Sequence, residues 1–386
     1  MQLILFDSLK HLQQLLPLTF TRPVSELRCG IFTLREKWER HFGKAFWLTA
    51  TYLTEVFPCS YQTENLYILG ALLESENVLS KIKSLKNGQA LFYKDTLLAF
   101  VWGKVEFEAI PKLVFAEKIQ VEDAEMIERP WHIFQKNGAQ IRRDFEYVRK
   151  IQKSHPIEDP HTRVYCPENI FIGKNVKLRA AVLNAETGPI YIGDNCEIQE
   201  GCVIRAPFVI CEGSTLNMGA RMRGDITIGP MCKAGGEISN SIMLGYSNKA
   251  HDGFMGNSVV GEWCNLGADT NISNLKNTYS NVKVWSYAEK AMVDTGAQFC
   301  GLTMGDFSKS GINTMFNTGT VVGVFANVFD GGFPPKHIPS FSWGKSEKYE
   351  FDKAIETLRT MMSKRGKSLS KAQEKMLRTV FEITNQ

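Results

Sequence analysis

Aliphatic or methionine side chains recur every six residues from Ile192 through Ile198, Ile204, Ile210, Leu216 and Met222 to Ile228. That spacing fits neither the 3.6-residue period of a helix nor the two-residue period of a strand, and a short fixed repeat marks a solenoid. A small residue fills the fifth place of many hexapeptides, as at Cys196, Cys202, Ser214, Ala220, Cys232 and Cys264. Glycine often follows the aliphatic, as in Ile172-Gly173, Ile192-Gly193, Ile228-Gly229, Val260-Gly261 and Leu266-Gly267. One large and one small inward residue per hexapeptide suit a flat triangular coil, in which three short strands close a turn of about eighteen residues and glycine permits the bend. These glycines and cysteines are packing residues, to which no chemistry is assigned. The register resumes with Met304-Gly305, Phe316 and Val322-Gly323, so the coil is expected to run to about Asn327, before GGFPP at 331–335 ends it.

The expected architecture has three parts. Residues 156–335 read as an all-β, left-handed parallel β-helix of hexapeptide repeats. Residues 1–155 carry apolar bursts at Leu3–Phe6, Phe46–Leu48, Leu66–Leu69 and Leu97–Trp102, separated by helical or turn segments, which is an α/β, Rossmann-like pattern. From Ser346 the apolar residues Phe351, Ile355, Leu358 and Met362, then Met376, Leu377, Val380 and Phe381, describe a helical C-terminal tail over 336–386 with a capping box from Ser370 to Gln373.

The formal charge of +4 is nearly balanced and carries no long basic run, so nucleic acid is not an expected partner. MQLILFD lacks the basic start and long apolar core of a secretory signal, and no run approaches a membrane span. Nine cysteines without a CxxC pair favour reduced thiols, and a cytoplasmic protein is expected.

Gly245 to Gly256 is polar and glycine-rich where the repeat lapses, and His251 lies in its centre. Loops on a rigid scaffold are where function concentrates. The segment KAHDGFMGNSVVGEWCNLGADTNISN, residues 249–274, resembles the acetyltransferase site of the bifunctional glucosamine-1-phosphate acetyltransferase and N-acetylglucosamine-1-phosphate uridyltransferase family. The resemblance implies His251 as general base, Asn274 as the neighbour that helps hold it, Asn265 as a sugar contact and Arg223 as the sugar-phosphate ligand. It further implies acetyl-CoA as co-substrate along the prism, near Gly267 and Ala268, and a homotrimer. Phe254 stands where the family has tyrosine and Ser239 where it has lysine, with Lys249 and Lys276 as replacement cations at the substrate. An imidazole suits the task because it accepts an amine's proton near neutral pH. His251 is the only histidine between Tyr165 and Lys336, so the three-histidine zinc site of other hexapeptide prisms cannot be assembled, and no metal is expected in this half.

The opening strand and LLPLTFTRPVSELRCGIFTLREKW, residues 15–38, resemble sugar nucleotidyltransferases, whose first strand leads into a phosphate loop. The resemblance implies a nucleotide or nucleotide sugar as partner, with Asp7, Arg22 and Arg28 as nucleotide-binding candidates and Mg²⁺ as a possible cofactor. Val24 stands at the expected lysine and Gly70-Ala71 at the expected Gly-Asp, with Asp144 as an alternative acid. Three readings follow: a fused acetyltransferase and nucleotidyltransferase making a nucleotide-activated N-acetyl amino sugar of the UDP-GlcNAc type; a nucleotidyltransferase on a hexose-1-phosphate with a non-catalytic, trimerising coil; and a non-enzymatic sugar-nucleotide-binding scaffold.

Overall fold

A computed structural model describes residues 1–385. The chain begins with β1 (Gln2–Phe6), α1 (Leu9–Gln14), α2 (Leu34–Phe42), β2 (Ala45–Leu48), β3 (Asn65–Leu69), α3 (Glu76–Ser84), β4 (Gln89–Tyr93), β5 (Thr96–Trp102), β6 (Glu117–Gln120) and α4 (Pro130–Ile151). The strands form one mixed sheet in the order β2-β1-β3-β5-β4-β6, parallel at β2-β1-β3 and β4-β6 and antiparallel on both sides of β5. The four apolar bursts are β1, β2, β3 and β5. β6, on the sheet edge, reads EKIQ and lacks such a burst.

The repeat region forms a parallel β-solenoid. Its first face begins at Arg163–Tyr165, its second at Ile170–Ile172 and its third at Lys177–Leu178, and the three stacks hold 8, 9 and 10 strands. The inward aliphatics make one continuous core, including Ile192, Ile198, Ile204, Ile210, Leu216, Met222 and Ile228. The coil does not stop at GGFPP: His337–Ile338 pairs on the second face and Ser342–Trp343 on the third. Gly245–Gly256 does not leave the coil either. Asn248–Lys249 and Phe254–Gly256 are strands in register, and the lapse in periodicity arises because Ala234 is followed by the next inward residue at Ile238, four positions on instead of six. Residues 273–302 form an excursion that carries a hairpin, Lys283–Ser286 against Ala291–Asp294.

The outward residues of the second face decide where the N-terminal unit docks. Val209, Ile242, Val259 and Val321 occupy one outward column and are buried under it. α4 lies in the junction, burying Ile133 and Phe134 in the N-terminal core and Ile141, Phe145 and Val148 with Val209 and Cys211 of the coil. Asn137 on α4 accepts from the Gly30 N–H at 2.8 Å and donates to the Asp225 carbonyl at 3.0 Å. Asp144, a candidate acid from the sequence, is fully buried here: its carboxylate takes Lys37 Nζ at 2.6 Å, an Arg40 nitrogen at 2.8 Å and the Ile31 N–H at 2.9 Å. It is a structural hub rather than a metal ligand. Gly30 has φ +89°, and a Cβ there would sit 2.3 Å from an Asp144 oxygen, so this position requires glycine.

The corner between the second and third faces places one residue per turn in the left-handed region. The column reads Asn175, Asn195, Gly213, Met231, Tyr246, Trp263, Phe307, Phe325 and Phe341. Its first members are the residues that tolerate positive φ, whereas its last five are aromatic. Tyr246 stacks on Trp263 at 4.4 Å, Phe307 on Phe325 at 4.5 Å and Phe325 on Phe341 at 5.0 Å. Positive φ costs a bulky residue roughly 1 kcal/mol, and burying a phenylalanine returns about 2–3 kcal/mol. Burial comes from α5 (Phe351–Ser363) and α6 (Lys371–Thr384), which cover this ladder with Phe20 and Leu53 of the N-terminal unit. α6 starts with the expected capping box at Ser370 and Gln373.

Phe325→Ala should cost about 3–5 kcal/mol, as for other buried phenylalanines, and loosen the tail. Urea unfolding checks the first effect; faster tryptic cleavage between α5 and α6, at Lys364, Arg365 or Lys367, checks the second.

Candidate active site

His251 is exposed at the corner where the third-face strand Asn248–Lys249 passes to the first-face strand Phe254–Gly256. The corner above it holds only Gly235 and Gly236 between its flanking strands, so His251 stands beside a shortened turn. On the adjoining first face, Arg221, Glu237 and Phe254 lie in one column. Arg223 donates to Glu237 Oε1 at 2.8 Å, while Arg221 lies 3.7 Å from Oε2 and 3.9 Å from Asp252. Arg223, the expected phosphate ligand, thus has Arg221 beside it as a second outward cation. The R-x-R alternation of ARMRG projects both arginines outward, and that signal was available.

Other expected residues lie elsewhere. Asn274 does not reach His251: it follows the first-face strand of the next turn, at the opposite corner, and donates to Asn257 Oδ1 at 2.7 Å. Asn265 points outward from the third face into a cavity of about 520 Å³ shared with Asn248, Lys309 and Arg365. Gly267 sits one turn below Ala250, and its N–H is spent on the Ser310 carbonyl at 3.1 Å; the Ala268 carbonyl accepts from Asn313 at 2.8 Å. Phe254 is half-buried, with its N–H bonded to Asn271 Oδ1 at 2.9 Å. Lys276 folds back on its own excursion, donating to the Asn281 carbonyl.

Lys249 is the largest departure. It was expected as a cation facing substrate, yet it occupies an inward slot, 1% exposed, in the column of Leu216, Ala234 and Leu266. Its Nζ donates to the Gly235 carbonyl at 3.2 Å and the His251 carbonyl at 3.0 Å. Burial lowers its pKa to about 8, partly countered by Asp252 and Asp269, with Arg221 lowering it further.

In the N-terminal unit, β1 runs almost directly into α1, with Ser8 as N-cap accepting from His11 N–H at 3.2 Å. Asp7 is buried at the end of β1, where Oδ1 accepts from Val24 N–H at 3.1 Å and Oδ2 from the Thr49 hydroxyl at 2.6 Å. Burial raises its pKa to about 7 against these two bonds, and Glu26 adds to the rise. Arg22 is not open to a nucleotide: its guanidinium pairs with Glu262 at 2.8 Å and with Asp306, both on the coil. Thr21 donates to the same Asp306 oxygen at 2.5 Å. Arg28 donates to the Ile31 carbonyl and lies 3.7 Å from Glu36. With Arg22 it lines a cavity of about 300 Å³ closed by Leu358, Gln373 and Met376 of the tail.

Magnesium does not fit this donor set. Both Asp7 oxygens are engaged by protein donors, and Ala71 brings no carboxylate to the next strand end.

Residues 3–153 match the family model described as sugar nucleotidyl transferase. A bifunctional sugar-1-phosphate nucleotidylyltransferase/acetyltransferase of Sulfurisphaera tokodaii is 28% identical over 146 residues, which are 37% of this chain and 36% of that protein. The matched stretch thus spans about a third of that relative's length. Among solved structures, an Arabidopsis UDP-N-acetylglucosamine acyltransferase aligns over 55% of this chain and 80% of its own, with 13% identity and a TM-score of 0.27. No helix among the described residues is long and apolar enough to cross a membrane. The chain thus joins an N-terminal α/β domain similar to the sugar nucleotidyl transferase model to a parallel β-solenoid and a helical tail.

Proposed function

We propose that the solenoid transfers an acetyl group from acetyl-CoA to the amine of an amino-sugar phosphate of the glucosamine-1-phosphate kind, with His251 as general base. The observation that carries this reading is His251 itself, exposed beside the shortened Gly235–Gly236 corner, with two arginines on the adjoining face. The imidazole takes a proton as the amine attacks the thioester carbonyl, and returns it to the departing thiolate as the C–S bond breaks. Arg221 and Arg223 supply cationic charge for the phosphate, which would compete with Glu237 for them. Asn274 enters by fixing the Asn257 corner at the far end of the same face. Asn265, Gly267 and Ala268 line the route along the third face on which acetyl-CoA would lie. A homotrimer, with its first faces next to neighbouring copies, belongs to the same proposal.

A second reading adds nucleotidyl transfer by the N-terminal unit to give a nucleotide sugar of the UDP-GlcNAc type. The match over residues 3–153 and the relative's name support it. The engaged oxygens of Asp7 argue instead for binding without turnover.

CoA release from acetyl-CoA and glucosamine-1-phosphate, followed with a thiol reagent, tests the first reading. Wild type should turn over, and His251→Ala should lose at least about a hundredfold in kcat, the usual scale for a general base. No wild-type release with any amino-sugar phosphate would overturn it. Pyrophosphate release from a nucleoside triphosphate and a sugar-1-phosphate tests the second.

Asp7 makes a separate prediction about stability. Its folded pKa lies above its unfolded value of 3.8, so the folded state binds the extra proton and this stabilisation is lost as pH rises from about 4 to about 7. Asp7→Asn keeps the hydrogen-bonding shape without the charge. The variant should gain on wild type across that window, by on the order of a few kcal/mol above pH 7, as read from urea midpoints at pH 4 and 8.

A further inference from the structure

Lys249 poses a problem that the catalytic reading leaves unsolved. The inward slot it fills is taken on other turns by aliphatic residues from Leu178 to Leu266 and Val328, and once by Ser310, which is small and hydrogen-bonded to Thr270. An aliphatic there needs no hydrogen-bond partner, whereas a buried ammonium is costly unless it is held. The structure holds it with two carbonyls that belong to consecutive turns, Gly235 above and His251 at its own corner. Ala234, the small residue one turn up, leaves room in the column for the long side chain.

The shortened corner is shaped around the same group. Gly236 has φ +67°, and a Cβ on it would lie 2.9 Å from Lys249 Nζ, 2.9 Å from the His251 carbonyl oxygen and 2.8 Å from that of Gly253. The ammonium, the missing side chains of Gly235–Gly236 and the backbone of His251 thus occupy one compact volume. The charged groups around it are Asp252 and Asp269 on the corners of its own and the next turn, and Arg221 on the first face.

We infer that Lys249 is a positioning residue for His251: from inside the coil its ammonium ties the His251 carbonyl to the preceding turn and fixes the imidazole beside the shortened Gly235–Gly236 corner. The device rests on the reading of His251 given above, but its structural consequence does not. Without the ammonium, two carbonyls lose their shared donor, and the His251 corner keeps the Asn217 side-chain bond to the Ala250 carbonyl and its neighbours' backbone bonds. The cation does not touch substrate; it acts through the backbone of the residue that would.

Lys249→Met decides it, because methionine fills the slot with an aliphatic chain of similar length. The variant should fold and melt at or above the wild-type temperature. Deuterium uptake of a peptide spanning residues 247–256 should be at least tenfold faster, and kcat for acetyl transfer at least tenfold lower with little change in KM for the sugar phosphate. Lys249→Gln, which keeps one donor, should recover part of both. Unchanged uptake and unchanged kcat in a folded Lys249→Met would overturn the inference, as would a loss confined to KM, the mark of a direct substrate contact. If wild type shows no turnover while Lys249→Met still loses protection, the acetyltransferase reading falls and the positioning role stands.

Discussion

Every turn of the solenoid has to present the same three inward slots to the turn above and below, and the rest of the molecule is built on that register. Because each strand pairs in parallel with its counterpart about eighteen residues away, a property assigned to one position is repeated as a column along the prism. Outward columns therefore become surfaces. On the second face the column through Val209, Thr227, Ile242, Val259, Thr303 and Val321 is buried and receives the N-terminal unit. At the second corner the left-handed column changes from Asn175, Asn195 and Gly213 to aromatic residues along the part that α5 and α6 cover. Among the described residues the first face has no such buried column, and it adjoins His251.

The period of six was legible because aliphatic packing enforces it, and the four apolar bursts of the N-terminal unit were legible for the same reason. The shortened corner was not. A step from Ala234 to Ile238 breaks the periodicity, so the stretch after it reads as a loop, although Met243, Lys249 and Met255 continue the inward stacks. Lys249 was misread on charge: a lysine in a polar stretch is ordinarily solvated, and only the three-dimensional register puts it in an aliphatic slot. The pairing of Arg22 with Glu262 and Asp306 joins residues far apart in sequence and leaves no local pattern. The aromatic ladder did leave a trace, one aromatic per turn at the position where asparagine or glycine is the default.

Cysteine shows how the register separates packing from chemistry. Cys196, Cys211 and Cys232 are buried, and burial pushes each thiol up to about 12, so none supplies a thiolate near neutral pH. Cys196 and Cys202 serve the coil as small apolar residues, each with its thiol against a carbonyl of the next turn. His251 differs because it stands at a corner, outside the slots. On a solenoid a side chain open to solvent stands at a corner or on an uncovered face, and both conditions meet at His251.

That placement bears on how the two units can cooperate. The N-terminal unit rests on the second face, while His251 faces outward where the third face turns into the first. Arg22, a nucleotide-binding candidate in the sequence, is committed to Glu262 and Asp306 of the coil and serves as part of the dock between the two units. The 300 Å³ cavity beside it is lined by residues from all three parts of the chain and lies on the far side of the coil core from the first face. Within one chain, His251 and that cavity therefore lie on opposite sides of the coil core, so a molecule bound at one does not touch the other.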